Sequence, residues 1–427
     1  MSAQTSVAPA GATTPQDVVT APVHWRDPVV SALMAVLTLV MALLSSGSSR
    51  VSFAGSTSWF AMGEVTVPAG PVGIVLTVVA VAATALIWVR SLQHREVSGW
   101  LMVVVGVALV LTFLLWTVAD KPGAVLPVVS LLGGGLLFAT PLVFGALSGV
   151  VCERSGIINI AIEGQLLAGA FLGVVVGSLA GSPWVGLIGA PIAGMLVAVL
   201  LALFTIKYRA DHIVVGVVLN MLVLGVTSFL FSTLLKDSPQ VNQALKLPVI
   251  GIPVLKDIPV IGPVLFNQTI LVYLMYIAVV VLQFMVFNSR WGLRMRASGE
   301  HPRAADTVGI RVNRIRWQNV ILGGALAGLG GAFFTCAQGL AFSKDMAAGN
   351  GFIALAAMIL GRWNPKGAFG AALLFGFATN LGAVMQAVGA GIPSQFLLMI
   401  PYIVTILAVA GFVGAVRAPA AEGVPYP

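Results

Sequence analysis

Long uncharged apolar runs dominate this chain and decide most of what it can fold into. They lie at 29–44, 72–89, 101–118, 125–148, 162–180, 185–206, 213–235, 269–287, 318–337, 368–388 and 396–416. Each is close to the ~20 residues that an α-helix needs to cross a hydrocarbon core. Backbone N–H and C=O groups find no water in that core, so a spanning segment must bond within itself or close into a barrel. The runs are too long, and alternate too little, to be strands. The expected fold class is therefore all-α: a polytopic transmembrane helix bundle of about 11–12 membrane elements. The twelfth element, 351–361, is too brief for an ordinary crossing and fits a short re-entrant half-helix or a tilted one.

Composition agrees, with 59% hydrophobic and only 8% charged residues, against about 25% charged in soluble domains. The net charge of +8 is gathered in the loops, so it reads as orientation in a membrane and not as a nucleic-acid surface. The block 290–316 carries seven arginines against Glu300 and Asp306, which places it in the cytoplasm. Alternating from there, with the short element counted as a crossing, leaves sixteen of the 22 Lys and Arg residues inside and both termini cytoplasmic. Residues 1–26 are rich in Ala, Thr, Pro and Val and are expected to form a disordered cytoplasmic tail. Cys152 and Cys336 lack metal or redox spacing and read as small buried residues.

Several polar groups interrupt the apolar pattern. In 153–165, Gly156 and Gly164 permit a helix break, while Asn159 and Glu163 stand four residues apart on one helical face. Polar groups at a broken helix in a bundle interior either handle a solute or satisfy backbone freed by the break. Asp211 is placed to cap the helix that follows it, and Asn220 needs a partner on another helix or on a solute. Gly324, Gly328 and Ala332 repeat at four-residue spacing, which lets helices pack closely in lipid. The connection 236–268 carries Pro239, Pro248, Pro253, Pro259 and Pro263, a spacing that favours a compact cap over a regular helix. No Gly-Lys-Ser/Thr and no H-E-x-x-H occurs, which excludes a P-loop ATPase and a zinc protease. Within 290–316 a Gly-Glu-His-Pro turn and a short Ala-rich segment suggest a helix presented to another protein.

Taken together, these motifs resemble the integral membrane permeases of ABC importers of the branched-chain amino acid and simple-sugar superfamily, most closely the nucleoside-type permeases. The matching segments, in family order, are Ala139-Thr140-Pro141-Leu142, ERSGIINIAIEG at 153–164, RADHIVVGVVLNML at 209–222, GLRMRASGEHPRAADTVGI at 292–310, GGALAGLGGA at 323–332, GFIALAAMILGRWNP at 351–365 and PYIVTILAVAGFVG at 401–414. The resemblance implies a non-enzymatic transport subunit in a bacterial cytoplasmic membrane that binds no cofactor itself. ATP and Mg would be used by a partner, a cytoplasmic ABC ATPase. A second homologous permease forming a heterodimer and an extracytoplasmic substrate-binding lipoprotein would complete the importer, with membrane lipid around it and no nucleic acid.

Gly299, Glu300, His301, Pro302, Arg303, Ala304, Ala305 and Asp306 match the family's coupling segment, which docks into the ATPase. Asn159, Glu163 and Asn220 are candidates for the substrate path, where a nucleoside offers hydroxyls, or a simple sugar such as a pentose in a related permease. An ion-coupled secondary transporter is the rival class, with Glu163 as its one candidate acid. The expected organisation is the tail 1–26, extra N-terminal transmembrane helices 27–120, a permease core 121–418 and a C-terminal tail 419–427. The topology is testable with cysteines. Ser238→Cys should react with a membrane-impermeant maleimide added outside, and Ala304→Cys only after the membrane is opened; the opposite pattern would invert the assignment.

Overall fold

The computed structural model describes residues 25–53, 63–95, 97–121, 123–389, 393–412 and 417–426, so the expected disordered tail falls almost entirely outside the described residues. Helices α1 (Arg26–Leu44), α2 (Ala69–Leu92) and α3 (Gly99–Val118) come first. They are followed by α4 (Val128–Glu153), α5 (Ile162–Ala180), α6 (Pro183–Ala202) and α7 (His212–Leu230). A short α8 (Ile261–Leu265) precedes α9 (Ile270–Asn288), after which α10 (Arg290–Glu300) and α11 (Pro302–Thr307) occupy the arginine-rich block. The chain continues with α12 (Val312–Ala332), α13 (Asn350–Leu360), α14 (Pro365–Ala387) and α15 (Ser394–Phe412). Among the described residues ten helices are long and apolar enough to cross a membrane. The molecule is thus an all-α polytopic bundle.

The short element is α13, with 11 residues between Gly349 and Gly361. At 1.5 Å per residue it rises ~16 Å, about half of a hydrocarbon core ~30 Å thick. Two runs differ most from the helices they form. The run 125–148 opens as a short strand (Val125–Pro127) and its helix continues to Glu153, and the helix of run 318–337 already begins at Val312. Charged side chains end an apolar run but not a helix, whose backbone keeps bonding into the polar boundary.

Strand is confined to short stretches. β1 (Ser48–Ser52) lies between β2 (Glu64–Pro68) and β3 (Val125–Pro127), parallel to the latter. β4 (Val249–Gly251) pairs antiparallel with β5 (Asn267–Thr269) in the proline-spaced connection. That connection is a compact cap, as its prolines suggest. Leu247 N–H donates to Cys336 O at 2.7 Å, Asn242 exchanges two bonds with the Phe342 backbone, and Gln243 N–H donates to Ser178 Oγ.

The fold divides into two compact units, residues 1–47 with 68–116, and 48–67 with 117–427. In the first, α1 and α2 approach over small residues, and Thr84 Oγ1 donates to Ser31 O at 3.3 Å. Ala35, Ala80, Ala83, Ile87 and Val105 form its core, while Val36 and Val78 on outer faces are exposed, as lipid-facing residues are. In the second unit α12 is the central element, its glycine segment buried against α4, α5 and α6. A Cβ on Gly194 of α6 would collide with the backbone of Gly324 and Gly328. Gly194→Val should therefore destabilise the protein by about 1–3 kcal/mol, the usual range for overpacking. Gly225→Val, at a position with open space around it, should leave detergent melting nearly unchanged; equal effects would remove the packing argument.

Candidate functional site

The break anticipated between α4 and α5 is present. Gly156 takes φ of +97°, a conformation that favours glycine, and its N–H closes a tight turn on Glu153 O at 2.9 Å. Residues 157–159 then run without regular structure before α5 begins at Ile162. Asn159 therefore lies outside the helix and does not share a helical face with Glu163, because the break precedes α5; the three polar residues singled out from the sequence each bond separate partners around this gap. Asn159, fully buried, donates to Ser148 Oγ at 3.1 Å and Gln165 Oε1 at 3.0 Å. Asn220 of α7 accepts from Gly164 N–H at 2.8 Å and donates to Ile160 O at 2.9 Å. One amide thus supplies both the donor and the acceptor that the interrupted backbone lacks. The capping role of Asp211 is also seen: Oδ1 accepts from the N–H groups of Ile213 and Val214, while His212 Nδ1 accepts from Ile158 N–H.

Glu163 reaches a different element. Its two carboxylate oxygens accept from Gly349 N–H at 2.7 Å and Gly351 N–H at 2.6 Å, the first turn of the half-helix α13. A carboxylate there satisfies free N–H groups and opposes the positive end of the helix dipole. The other end of α13 is held from the same broken segment. Arg154 Nε donates to Trp363 O at 2.9 Å and Nη2 to Arg362 O at 3.4 Å, just past the final turn. Arg362 and Trp363 both have left-handed φ, 58° and 52°, which side-chain-bearing residues adopt only under outside constraint. Glu153 supplies part of it by accepting from Trp363 Nε1 at 2.6 Å. Burial holds the Arg154 guanidinium below its ordinary pKa, Arg296 adds to this and Glu300 opposes it. The segment 153–163 therefore grips α13 with an anion at its N-terminus and a cation at its C-terminus.

The expected coupling segment forms the end of α10 and the short helix α11. Ser298 Oγ donates to Ser155 O at 3.2 Å, and Gly299 packs so closely on Arg154 that a Cβ would strike its carbonyl. Gly299 and Ala305 are buried and Pro302 is half-buried, whereas Glu300, His301, Arg303, Ala304 and Asp306 are exposed. The segment thus has a buried row, with Gly299 against the broken-helix turn, and an exposed row.

The C-terminal segment was not anticipated as part of this site. Ala421 N–H donates to Gly299 O at 2.8 Å, Gly423 N–H to Gly156 O at 3.1 Å, and Arg316 Nη1 to Val424 O at 2.9 Å. The Glu422 carboxyl meets that of Glu153; burial raises the Glu422 pKa and the bond to Glu153 opposes the rise. Glu153 and Arg316 are also new to the site. Both are nearly fully buried, and among charges clustered at a helix end nothing in composition separates them from solvated neighbours. Of the aromatics available for stacking, Phe333 and Phe334 lie in the core and Phe352 is exposed. Asn220→Ala would strand one backbone donor and one acceptor, at about 1–3 kcal/mol for each group left unpaired. Its melting temperature in detergent should fall clearly, and Asn220→Asp, which keeps the acceptor for Gly164, should fall less; an unchanged Ala variant would show that the bridge contributes nothing.

The family model described as branched-chain amino acid transport system / permease component matches residues 131–409. The guanosine ABC transporter permease protein NupQ of Bacillus subtilis is 41% identical over 305 residues, 68% of this chain and 94% of that protein. The nucleoside ABC transporter permease protein NupC of Lactococcus lactis is 42% identical over 300 residues, with the same two coverages of 68% and 94%. The putative glucose ABC transporter permease protein TsgC13 of Haloferax volcanii is 34% identical over 252 residues, 59% of this chain and 76% of that protein. No solved structure matches the chain. With its broken helix, gripped short helix α13 and paired helices α10 and α11 inside the matched region, the chain belongs to the permease-component family of the branched-chain amino acid transport systems.

Proposed function

We propose that this chain is one permease subunit of an ATP-driven ABC importer that moves nucleosides across a bacterial cytoplasmic membrane, with both of its termini in the cytoplasm. The observation that carries this reading is the identity of 41% and 42% to permeases named for guanosine and for nucleosides, along 94% of each. The chain itself performs no hydrolysis and binds no cofactor; ATP and Mg belong to a partner ATPase. A second homologous permease completes the translocation path, and an extracytoplasmic lipoprotein delivers the solute.

In this reading Gly299, Glu300, His301, Pro302, Arg303, Ala304, Ala305 and Asp306 dock into the ATPase through their exposed row. The buried row passes the movement to the Gly156 turn, against which Gly299 is packed. Asn159, Glu163 and Asn220 belong to the path by holding its broken elements in shape, so their effect on solute passage runs through the positions of α5, α7 and α13. A nucleoside offers hydroxyls and a flat base, and the half-buried Glu163 and Asn220 have polar edges suited to the hydroxyls.

The test is reconstitution of the chain with its co-purifying partners in liposomes loaded with ATP and Mg. Guanosine uptake should require ATP and the binding protein, and pentose uptake should not occur. Uptake driven by a proton or sodium gradient without an ATPase would overturn the reading. Glu300→Arg should leave membrane insertion intact and abolish ATP-driven uptake, because it reverses an exposed charge on the docking segment and removes the acceptor for Ala420 N–H. Normal uptake by that variant would remove Glu300 from the coupling role.

A further inference from the structure

The segment 417–426 lies beyond the matched family region, which ends at 409, yet it bonds to α10, to the broken-helix turn and to Arg316 of α12. Ala420 N–H reaches Glu300 Oε2 at 3.3 Å. Ala421 N–H and Gly423 N–H bind the backbone of α10 and of the broken-helix turn, at Gly299 O and Gly156 O. Tyr426 lies near Asp306 and Arg303 of α11. These contacts are built into the chain. A Cβ at Gly156 would fall against the Arg316 guanidinium and Ala421 O, and one at Gly423 would fall 2.9 Å from Ile158 Cδ1.

Arg316 fixes the segment further. It is 1% exposed, its Nη1 bonds Val424 O, and its Nε and Nη2 have no hydrogen-bond partner. A buried guanidinium is costly without such a bond, so release of the tail would strand this charge. While the backbone of the tail faces inward, some of its side chains do not. Val424 is 50% exposed and Val308, which follows α11, is 75% exposed. Most other exposed valines lie on spans, and Val65, Val249 and Val254 lie on short strands or in the cap; Val308 and Val424 stand on a loop and a tail in the arginine-rich polar block, where exposed apolar side chains mark contact with a protein. Val308 lines a recess of about 800 Å³ together with Arg290, Arg294, Arg311 and Arg314.

Building on the importer reading, we infer that the C-terminal tail is part of the ATPase docking surface. It clamps the end of α10 to the broken-helix turn and presents Val424, and Tyr426 near Asp306 of α11, to an ATPase groove with an apolar floor and an acidic rim. The four arginines supply the positive side of that match.

The experiment places a benzophenone amino acid at Val424, or separately at Ala304 on α11, in the full complex. Both positions should crosslink to the ATPase. A crosslink from position 304 without one from 424 overturns this inference and leaves the importer reading standing. Failure at both positions in a complex that still contains the ATPase overturns the coupling assignment as well. A second measurement uses Val424→Asp combined with Tyr426→Ala, which keeps the backbone groups that bind Gly156, Gly299 and Arg316. The dissociation constant for the ATPase should rise ~10-fold, equivalent to about 1.4 kcal/mol, with an unchanged detergent melting temperature. Unchanged affinity would overturn the inference.

Discussion

The structure of the site depends on one constraint: backbone groups that a helix break leaves unpaired must, where they are buried, find partners within the protein. Here the break between α4 and α5 and the two ends of the half-helix α13 are satisfied by the same short segment. Glu163 accepts from Gly349 and Gly351, and Arg154 donates to the carbonyls of Arg362 and Trp363. Each charge lies at the end of α13 whose dipole it opposes, so neither is an isolated ion in low dielectric. Each has hydrogen bonds and a complementary field, and this lets charged side chains persist where an unpaired one would be expelled.

Much of the fold was legible because the membrane makes sequence literal. Twenty apolar residues can do little but span, and the runs at 162–180 and 269–287 recur almost unchanged as α5 and α9. Glu163 stood out because an acid within an apolar run is rare, but its partners are backbone N–H groups of Gly349 and Gly351, which carry no side-chain signature. The tail was illegible for the same reason: Ala421 and Gly423 bind through N–H groups that every residue but proline has. Arg316 shows a third limit. It is one of seven arginines in a block whose positive charge suffices to orient the chain, and its near-complete burial arises from a carbonyl 108 residues away in sequence.

Close approach between helices underlies this arrangement. Lipid offers no hydrophobic drive to bring spans together, so packing relies on small residues that let backbones meet. The glycine segment of α12 does this against α6, where Gly324 and Gly328 meet Gly194. It also fixes α12 at its inner end, where Arg316 receives the tail. The small-residue interface and the polar site are thus two portions of one helix, and a shift of α12 against α6 would displace the Arg316 guanidinium relative to the Gly156 turn.

Force applied at α11 has a short mechanical route inward. Gly299 is packed against the Arg154 carbonyl and Ser298 is bonded to Ser155 O, so α10 cannot move without carrying the turn. Arg154 in that turn holds one end of α13, and Glu163, nine residues on, holds the other. The contacts between them are hydrogen bonds to backbone and sub-van-der-Waals limits on a missing Cβ. Each hydrogen bond has backbone as one partner, and the Gly299 contact is backbone on backbone, so at least one side of every contact has no rotamer to yield. Loss of either charged grip would free one end of α13 while leaving the contacts of Ser298 and Gly299 with the turn in place.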